Sequence, residues 1–443
     1  MKTFRKILGL LVLFSMATSL LAQRTEIQYF RPYDQDGINI FEPTKLNNIQ
    51  YDGFAIRIGG SFTQQFQALS HSNNATPNLV SYRGGQANAN ELYALGSGFN
   101  LATANLNFDF QIQDGIRVSL ENYMSSRHHS EFWVKGGYIQ IDKLPMFDNP
   151  DWFTKHVRVK IGHFQPNYGD QQFRRTDNGN AIWNPFVGNY IMDAFTTEIG
   201  GEAYVFPNED LMFMIGLTNG LINGNIADVE KKPSVYFKGA YDKQVTDDFR
   251  FRLSASYYNN SGSARNTLFN GDRTGSRFYL AMEPAISLPR GSSAYAPVSA
   301  SGNFTSGRIS PNFTNTVSTF QISPFVKYKG AELFATYEAG SGRAGFENDE
   351  RDFGQFSVEG IYRFLPNEQA FFGARYNSAS GDLGGGNSDV TINRTEISAG
   401  WFPSRNLLLK FGYINQDYLD FNASDLRHEG NFNGMMIEAV VGF

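Results

Sequence analysis

The sequence predicts an all-β fold, a transmembrane antiparallel β-barrel of about 16 strands, with 18 as the alternative count. Three observations carry this. Apolar and polar residues alternate over stretches longer than ordinary strands, and the connections between those stretches are alternately short and long. No apolar run beyond the leader approaches the roughly 18 residues that read as a membrane helix.

The leader comes first. Residues 1–22, MKTFRKILGLLVLFSMATSLLA, have a basic start at Lys2, Arg5 and Lys6, an apolar run from Ile7 to Phe14 and a small residue at Ala22. That is the pattern of a secretory signal, with cleavage expected between Ala22 and Gln23. Its removal takes the formal charge from −5 to −8, because three basic and no acidic residues leave with it. An acidic mature chain lacks the basic footprint of a nucleic-acid binder. There is no cysteine, so neither a disulfide framework nor a lipid-anchored N-terminal cysteine is available.

Residues 23–52 come next and are expected to be a periplasmic segment, too long for a simple lead-in, that plugs the barrel mouth or binds a partner. The barrel itself is expected over 53–443. Phe54, Ile56, Ile58 and Phe62 share one face of its first strand, opposite Arg57, Ser61 and Thr63. NLATANLNFDFQIQ, 100–113, is the longest regular case, with Ala102, Ala104, Leu106, Phe108, Phe110 and Ile112 on one face and only polar side chains on the other. Successive strand side chains point to opposite faces, so such a segment is apolar outside and hydrated inside when the sheet closes in lipid. Its length suits the roughly 9–11 residues of a tilted membrane strand better than the 5 or 6 of a globular one.

The same pattern returns at Ile116–Glu121, Phe249–Ala255 and Phe356–Phe364, with charges standing between bulky hydrophobes. The chain stops within an alternating strand, with Met435, Ile437, Ala439, Val441 and Phe443 on one face. A terminal Phe there resembles the C-terminal signal of bacterial outer-membrane proteins. Short turns are expected at 113–115, 207–210, 366–368 and 403–406, and long loops at 70–98, 165–193, 219–232, 341–352 and 417–431. This asymmetry is that of periplasmic turns and external loops. A count along the chain finds 17 strands, one of them, 276–288, doubtful. Both ends should lie on one side, so placing 276–288 in a large outside loop restores 16.

Parity puts Arg57, Arg117, Arg158, Lys160, Arg250, Arg252, Glu198 and Glu202 on the lumen face, together with further near-balanced charges such as Lys238, Glu332 and Glu359. Charged linings of this kind set ion selectivity in pores. Three other motifs have structural explanations. GSGRAG, 340–345, fits a glycine-rich nucleotide loop only if a helix follows, whereas FENDERD does. RHHSE, 127–131, points its adjacent histidines to opposite faces, and DQDG, 34–37, lacks the other ligands of a calcium loop. No catalytic, metal or cofactor motif is found, and no enzyme activity is expected.

HVRVKIGHFQPNYG, 156–169, resembles the phosphate-selective porin O and P family in its Bacteroidetes form, where a strand enters a G-x-F…P…aromatic-G segment. Gly162, Phe164, Pro166, Tyr168 and Gly169 carry the match, with Pro166 one place early, and SPFVKYKGAELFATYEAGSGR, 323–343, is similar to a further segment of the group. The resemblance spans about 50–443. It implies a 16-stranded, homotrimeric outer-membrane channel whose third loop folds inward, passing small hydrophilic solutes passively, with anions or phosphate as the namesake case. In that setting QQFRRTDNGN, 171–180, is expected to lie in the inward loop, with Arg174 and Arg175 at the constriction and Glu198 and Glu202 among the carboxylates holding them. The alternative reading is a structural barrel subunit of a larger outer-membrane assembly.

Overall fold

A computed structural model describes residues 25–443 apart from 127–130, 222–230, 272–277 and 300–305. The signal segment 1–22 and the histidines of RHHSE therefore lie outside the described residues. Sixteen strands form one closed antiparallel sheet: β1 Ala55–Ser72, β2 Thr103–Gln113, β3 Ile116–Ser125, β4 Glu131–Ile141, β5 Val157–Phe164, β6 Glu198–Val205, β7 Leu211–Thr218 and β8 Ser234–Gln244 come first. They are followed by β9 Phe249–Asn260, β10 Thr316–Tyr328, β11 Ala331–Arg343, β12 Arg351–Phe364, β13 Ala370–Gly381, β14 Val390–Ser404, β15 Leu407–Leu419 and β16 Asn431–Gly442. Each pairs with the next. The sheet closes because β1 is long enough to use both edges: Ala55–Thr63 pairs with β2 and Ser61–Ser72 with β16.

The 276–288 stretch is not a barrel strand. Phe278 to Met282 turn inward, and the next ordered piece is only a two-residue ladder, Ile286–Ser287 against Ala296–Pro297. GSGRAG likewise closes strand β11 and begins a loop, with no helix after it. DQDG forms a single 3-10 turn in which the Asp34 side chain accepts from the Asp36 amide.

Alternation becomes inside and outside. In β2, Thr103, Asn105, Asn107, Asp109 and Gln111 are buried within the barrel, while Leu106, Phe108 and Phe110 face out. In β16, Glu438 is fully buried between the outward Ile437 and Ala439. One strand breaks the simple parity. At Glu121/Asn122 the register of β3 against β4 slips by one, so that Lys135 is the extra residue of a bulge and turns inward.

The interior is filled. Residues 165–197, the third loop, run through the lumen and are buried almost throughout. The segment from Ile27 to about 45 lies inside the short-turn mouth, and parts of 261–315 fill the long-loop mouth. Inward aromatics of the wall, among them Phe325, Phe334, Phe371 and Phe402, pack against these inserts in apolar clusters.

The inside-out assignment makes a direct demand. Phe108→Arg and Leu253→Arg, both on the outward face near strand centres, should each cost about 2–4 kcal/mol in bilayer unfolding titrations. Trp152→Arg, on the short helix outside the sheet, should cost far less. Costs at Phe108 and Leu253 no larger than at Trp152 would show that these two side chains do not face lipid.

Candidate functional site: the occupied lumen

The third loop enters the barrel where β5 ends. Gly169 has φ +72, and a Cβ there would run into the Gln321 side chain of β10, so only glycine lets the chain turn this close to the wall. Just beyond it, Asp170 accepts from Arg252 at 2.7 Å and pairs with Lys238 at 2.8 Å. The loop then crosses to the opposite wall. Lys410 donates to the Asn184 and Phe186 carbonyls at 2.9 and 2.7 Å, Arg375 to the Gly188 carbonyl at 2.6 Å, and the Ile191 amide donates to Asn377 at 2.7 Å.

Arg174 and Arg175 are 3% and 2% exposed. The Arg174 guanidinium meets Glu359 at 3.4 Å and Glu332 at 3.6 Å and donates to Asn39; Arg175 pairs with Asp193 within the loop at 2.8 Å. Glu198 and Glu202 do not hold this pair. Glu198 accepts from Tyr258 at 2.5 Å and from Thr218, and Glu202 accepts from the Asn167 amide at 2.7 Å and from Tyr204 and Tyr236. The reason is the path of the loop: Glu198 and Glu202 stand on the strand where it leaves, whereas Arg174 has already crossed to β11 and β12.

The remaining parity-assigned residues face the interior, each with partners. Arg57 lies over the Phe30 ring at 4.6 Å, and Arg117 donates to Gln140 at 2.8 Å. Arg158 binds Asp142 at 2.8 Å, Arg250 binds Asp242 at 2.7 Å, and Arg252 also reaches Glu42 at 2.7 Å. Lys160 is 3.6 Å from Glu202 and stacked over Tyr138 at 4.5 Å and Phe164 at 4.1 Å.

The loop is tied to both walls, its 177–179 turn being held by Thr63, Asn105 and Lys135 of β1, β2 and β4, and space is left beside it against β3–β6. A cavity of about 200 Å³ opens there, lined by Arg31, Arg117, Lys135, Arg158 and Lys160 against Glu42, Glu121 and Asp177, with Tyr138, Phe164 and Trp183 among its walls. Parity misses Lys135, the extra residue of the bulge; the adjacent glycines of VKGG are its signal in the sequence. It also misses Arg31, Asn39 and Glu42, which lie ahead of the first strand and show no alternation. Burial pushes the Glu42 carboxyl up, but Arg252 and Lys238 outweigh it and hold the group at about 2.

No family model matches the chain, and no curated protein does. Among solved structures, the outer-membrane expressed OmpT of Vibrio cholerae is similar at TM-score 0.50 and 9% identity, over 89% of this chain and 99% of that one. The in-vitro folded trimer form of that protein matches at 0.50 and 9%, over 88% and 100%. An anion-selective porin from Comamonas acidovorans has TM-score 0.49 at 10% identity, over 88% and 100%. What is shared is the barrel architecture.

Two outcomes follow from the charge pairing. Arg175→Ala leaves Asp193 buried without its cation, a loss of about 3–5 kcal/mol. Loop residues 170–195 should then lose amide exchange protection while the strands keep theirs, and unchanged loop protection would argue that the pair is dispensable. Glu42 titrates with a depressed value. Its docking contribution is therefore complete above its ordinary value of 4.5 and is lost as pH falls from there toward 2. Exchange at residues 38–42, corrected for intrinsic rate, should match between neutral pH and pH about 5 and rise by pH about 3.

Proposed function

We propose that the chain is an outer-membrane diffusion channel for small hydrophilic solutes, with a preference for anions. Its path is the crescent between the third loop and the β3–β6 wall. The observation that carries this reading is the lining that the wall and the third loop give that cavity: Arg117, Lys135, Arg158 and Lys160 face Glu121 and Asp177, four cations against two carboxylates. A low-dielectric wall concentrates such an excess on a passing ion. Lys160, 3.6 Å from Glu202, is more accessible than Arg117, Lys135 and Arg158. Arg174 and Arg175 act on the constriction by fixing the loop that narrows it. Inorganic phosphate, the namesake solute of the family that the Gly162–Gly169 segment resembles, is the anion to test first.

Assembly as a homotrimer is part of the same reading. Exposed Tyr241, Tyr257, Tyr328, Tyr362, Trp401 and Tyr413 all lie on β8–β15, whereas among the described residues the strands β16 and β1–β7 carry no exposed Tyr or Trp, the exposed Trp152 of that sector standing on the helix between β4 and β5. Interfacial Tyr and Trp mark contact with lipid headgroups. Strands β5, β6 and β7 have 8 residues each, short for an unaided crossing. Both features support neighbours covering that sector. The filled lumen favours a second reading, a structural barrel subunit of an outer-membrane assembly. Purification from native membranes separates the two, as a lone trimer or a stable hetero-complex.

In a planar bilayer under a salt gradient, the openings of the wild type should reverse on the anion side. Lys160→Glu should move the reversal potential toward cations, and Arg174→Ala/Arg175→Ala should enlarge the conductance and weaken the preference. An unchanged reversal potential in both variants would remove these residues from the path.

A further inference from the structure

We infer that residues 27–45 are a resident plug of the periplasmic mouth, one that must leave for the channel to conduct and whose departure also loosens the third loop. The inference rests on the channel reading above.

The course of the segment is the first support. It makes a lap of the mouth. Gln28 donates to Asp114 at 3.0 Å beside the β2–β3 turn, and the Gln35 amide donates to the Arg405 carbonyl at 2.9 Å at the β14–β15 turn. The Gln35 side chain reaches the Asn367 carbonyl at 2.9 Å. Asn39 then donates to Glu332 at 2.6 Å on β11, Glu42 binds Lys238 on β8 and Arg252 on β9, each at 2.7 Å, and Lys45 meets Asp142 at 3.0 Å. A lead-in lying in water would not bury Ile27 and Phe41 to 1%.

The second support is a set of ties to the constriction loop. The Arg31 guanidinium sits 3.6 Å from the Trp183 ring centre and donates to the Phe173 carbonyl at 2.8 Å. Trp183 in turn donates to the Asp34 carbonyl at 3.2 Å, Arg174 donates to Asn39, and Asn167 donates to Glu42 at 3.0 Å. Withdrawing the segment therefore removes one face of the site that holds the third loop.

The third support distinguishes a removable plug from a fixed core element. Buried wall charges that bind the segment's polar groups keep a partner on the wall or in the third loop when it is gone, and Arg405, which among the described residues pairs only with Asp34 and Asp36, is exposed to water. Arg252 keeps Asp170 and Asp242, Lys238 keeps Asp170, Glu332 keeps Arg363 at 2.7 Å, and Asp142 keeps Arg158 at 2.8 Å. Losing a core ion-pair partner normally strands a buried charge, and here it does not. No disulfide fastens the segment either.

The test uses the full chain, whose lack of cysteine makes introduced thiols unique. Gln35→Cys/Arg405→Cys locks the segment to the rim when oxidised. Ser254→Cys, on the inward face of β9 between Arg252, which binds the plug, and Ser256, which binds the loop, reports access from the periplasmic side. Heat-modifiability on gels confirms folding of each variant. We expect Ser254→Cys labelling to be slow alone and about tenfold or more faster with Arg31→Ala/Glu42→Ala. With the lock it should be suppressed until reduction. Bilayer openings should follow the same order. Labelling or conductance that ignores the lock overturns the plug, as does fast labelling in the unlocked parent that the docking variant leaves unchanged. Labelling that responds as expected while no variant conducts supports the plug and overturns the channel.

Discussion

Everything in this molecule depends on backbone closure. In hydrocarbon each unpaired N–H or C=O costs several kcal/mol, so a sheet can cross only if no edge is left. Closure is achieved by β1, whose first half pairs with β2 and whose second half pairs with β16 along Ser61–Ser72. Once the sheet is closed, its two faces meet different surroundings. Outward Phe, Ile, Leu and Val face lipid, and the polar alternates are enclosed.

Enclosure then imposes charge matching. A guanidinium or carboxylate taken out of water is tolerated when it is paired and hydrogen-bonded. The lumen accordingly reads as a connected network, with Asp170 between Arg252 and Lys238, Glu359 between Arg174 and Arg375, and Lys410 on Glu438 at 2.6 Å. These pairs do more than neutralise. The loop is tied to both walls: Asp170 and Arg174 meet β8–β12, while Thr63, Asn105 and Lys135 hold its 177–179 turn on β1, β2 and β4, and the open space is what these ties leave beside β3–β6. The inserted loops bring apolar side chains such as Phe186 and Tyr190 onto inward wall aromatics, so the barrel also has a packed core in the ordinary sense.

The N-terminal segment belongs to the same network at the short-turn mouth, yet the buried wall charges it binds keep partners without it. That separates it from the third loop, whose Asp170 supplies the partners of Arg252 and Lys238. One insert crosses the lumen and the other lines the short-turn mouth, and the Arg31–Trp183 contact joins them.

The sequence by itself determined the closed barrel, its faces and its short-turn and long-loop ends, because alternation with period two is a local property that every strand carries alone. The inward location of Arg57, Arg117 and Lys160 was legible for the same reason. Lys135 was not, since one extra residue at the bulge inverts parity beyond it. Nor was the doubtful strand at 276–288, whose apolar residues serve an inward-folded loop as well as they would a strand. The partners of Arg174 and Arg175, and the seating of residues 27–45, belong to the tertiary structure alone. Asn39 and Glu332 are 293 residues apart, and Arg174 and Glu359 are 185 apart, so only the closed barrel brings them together. A pattern in one strand can say which way a charge points, but what it meets is decided by the opposite wall.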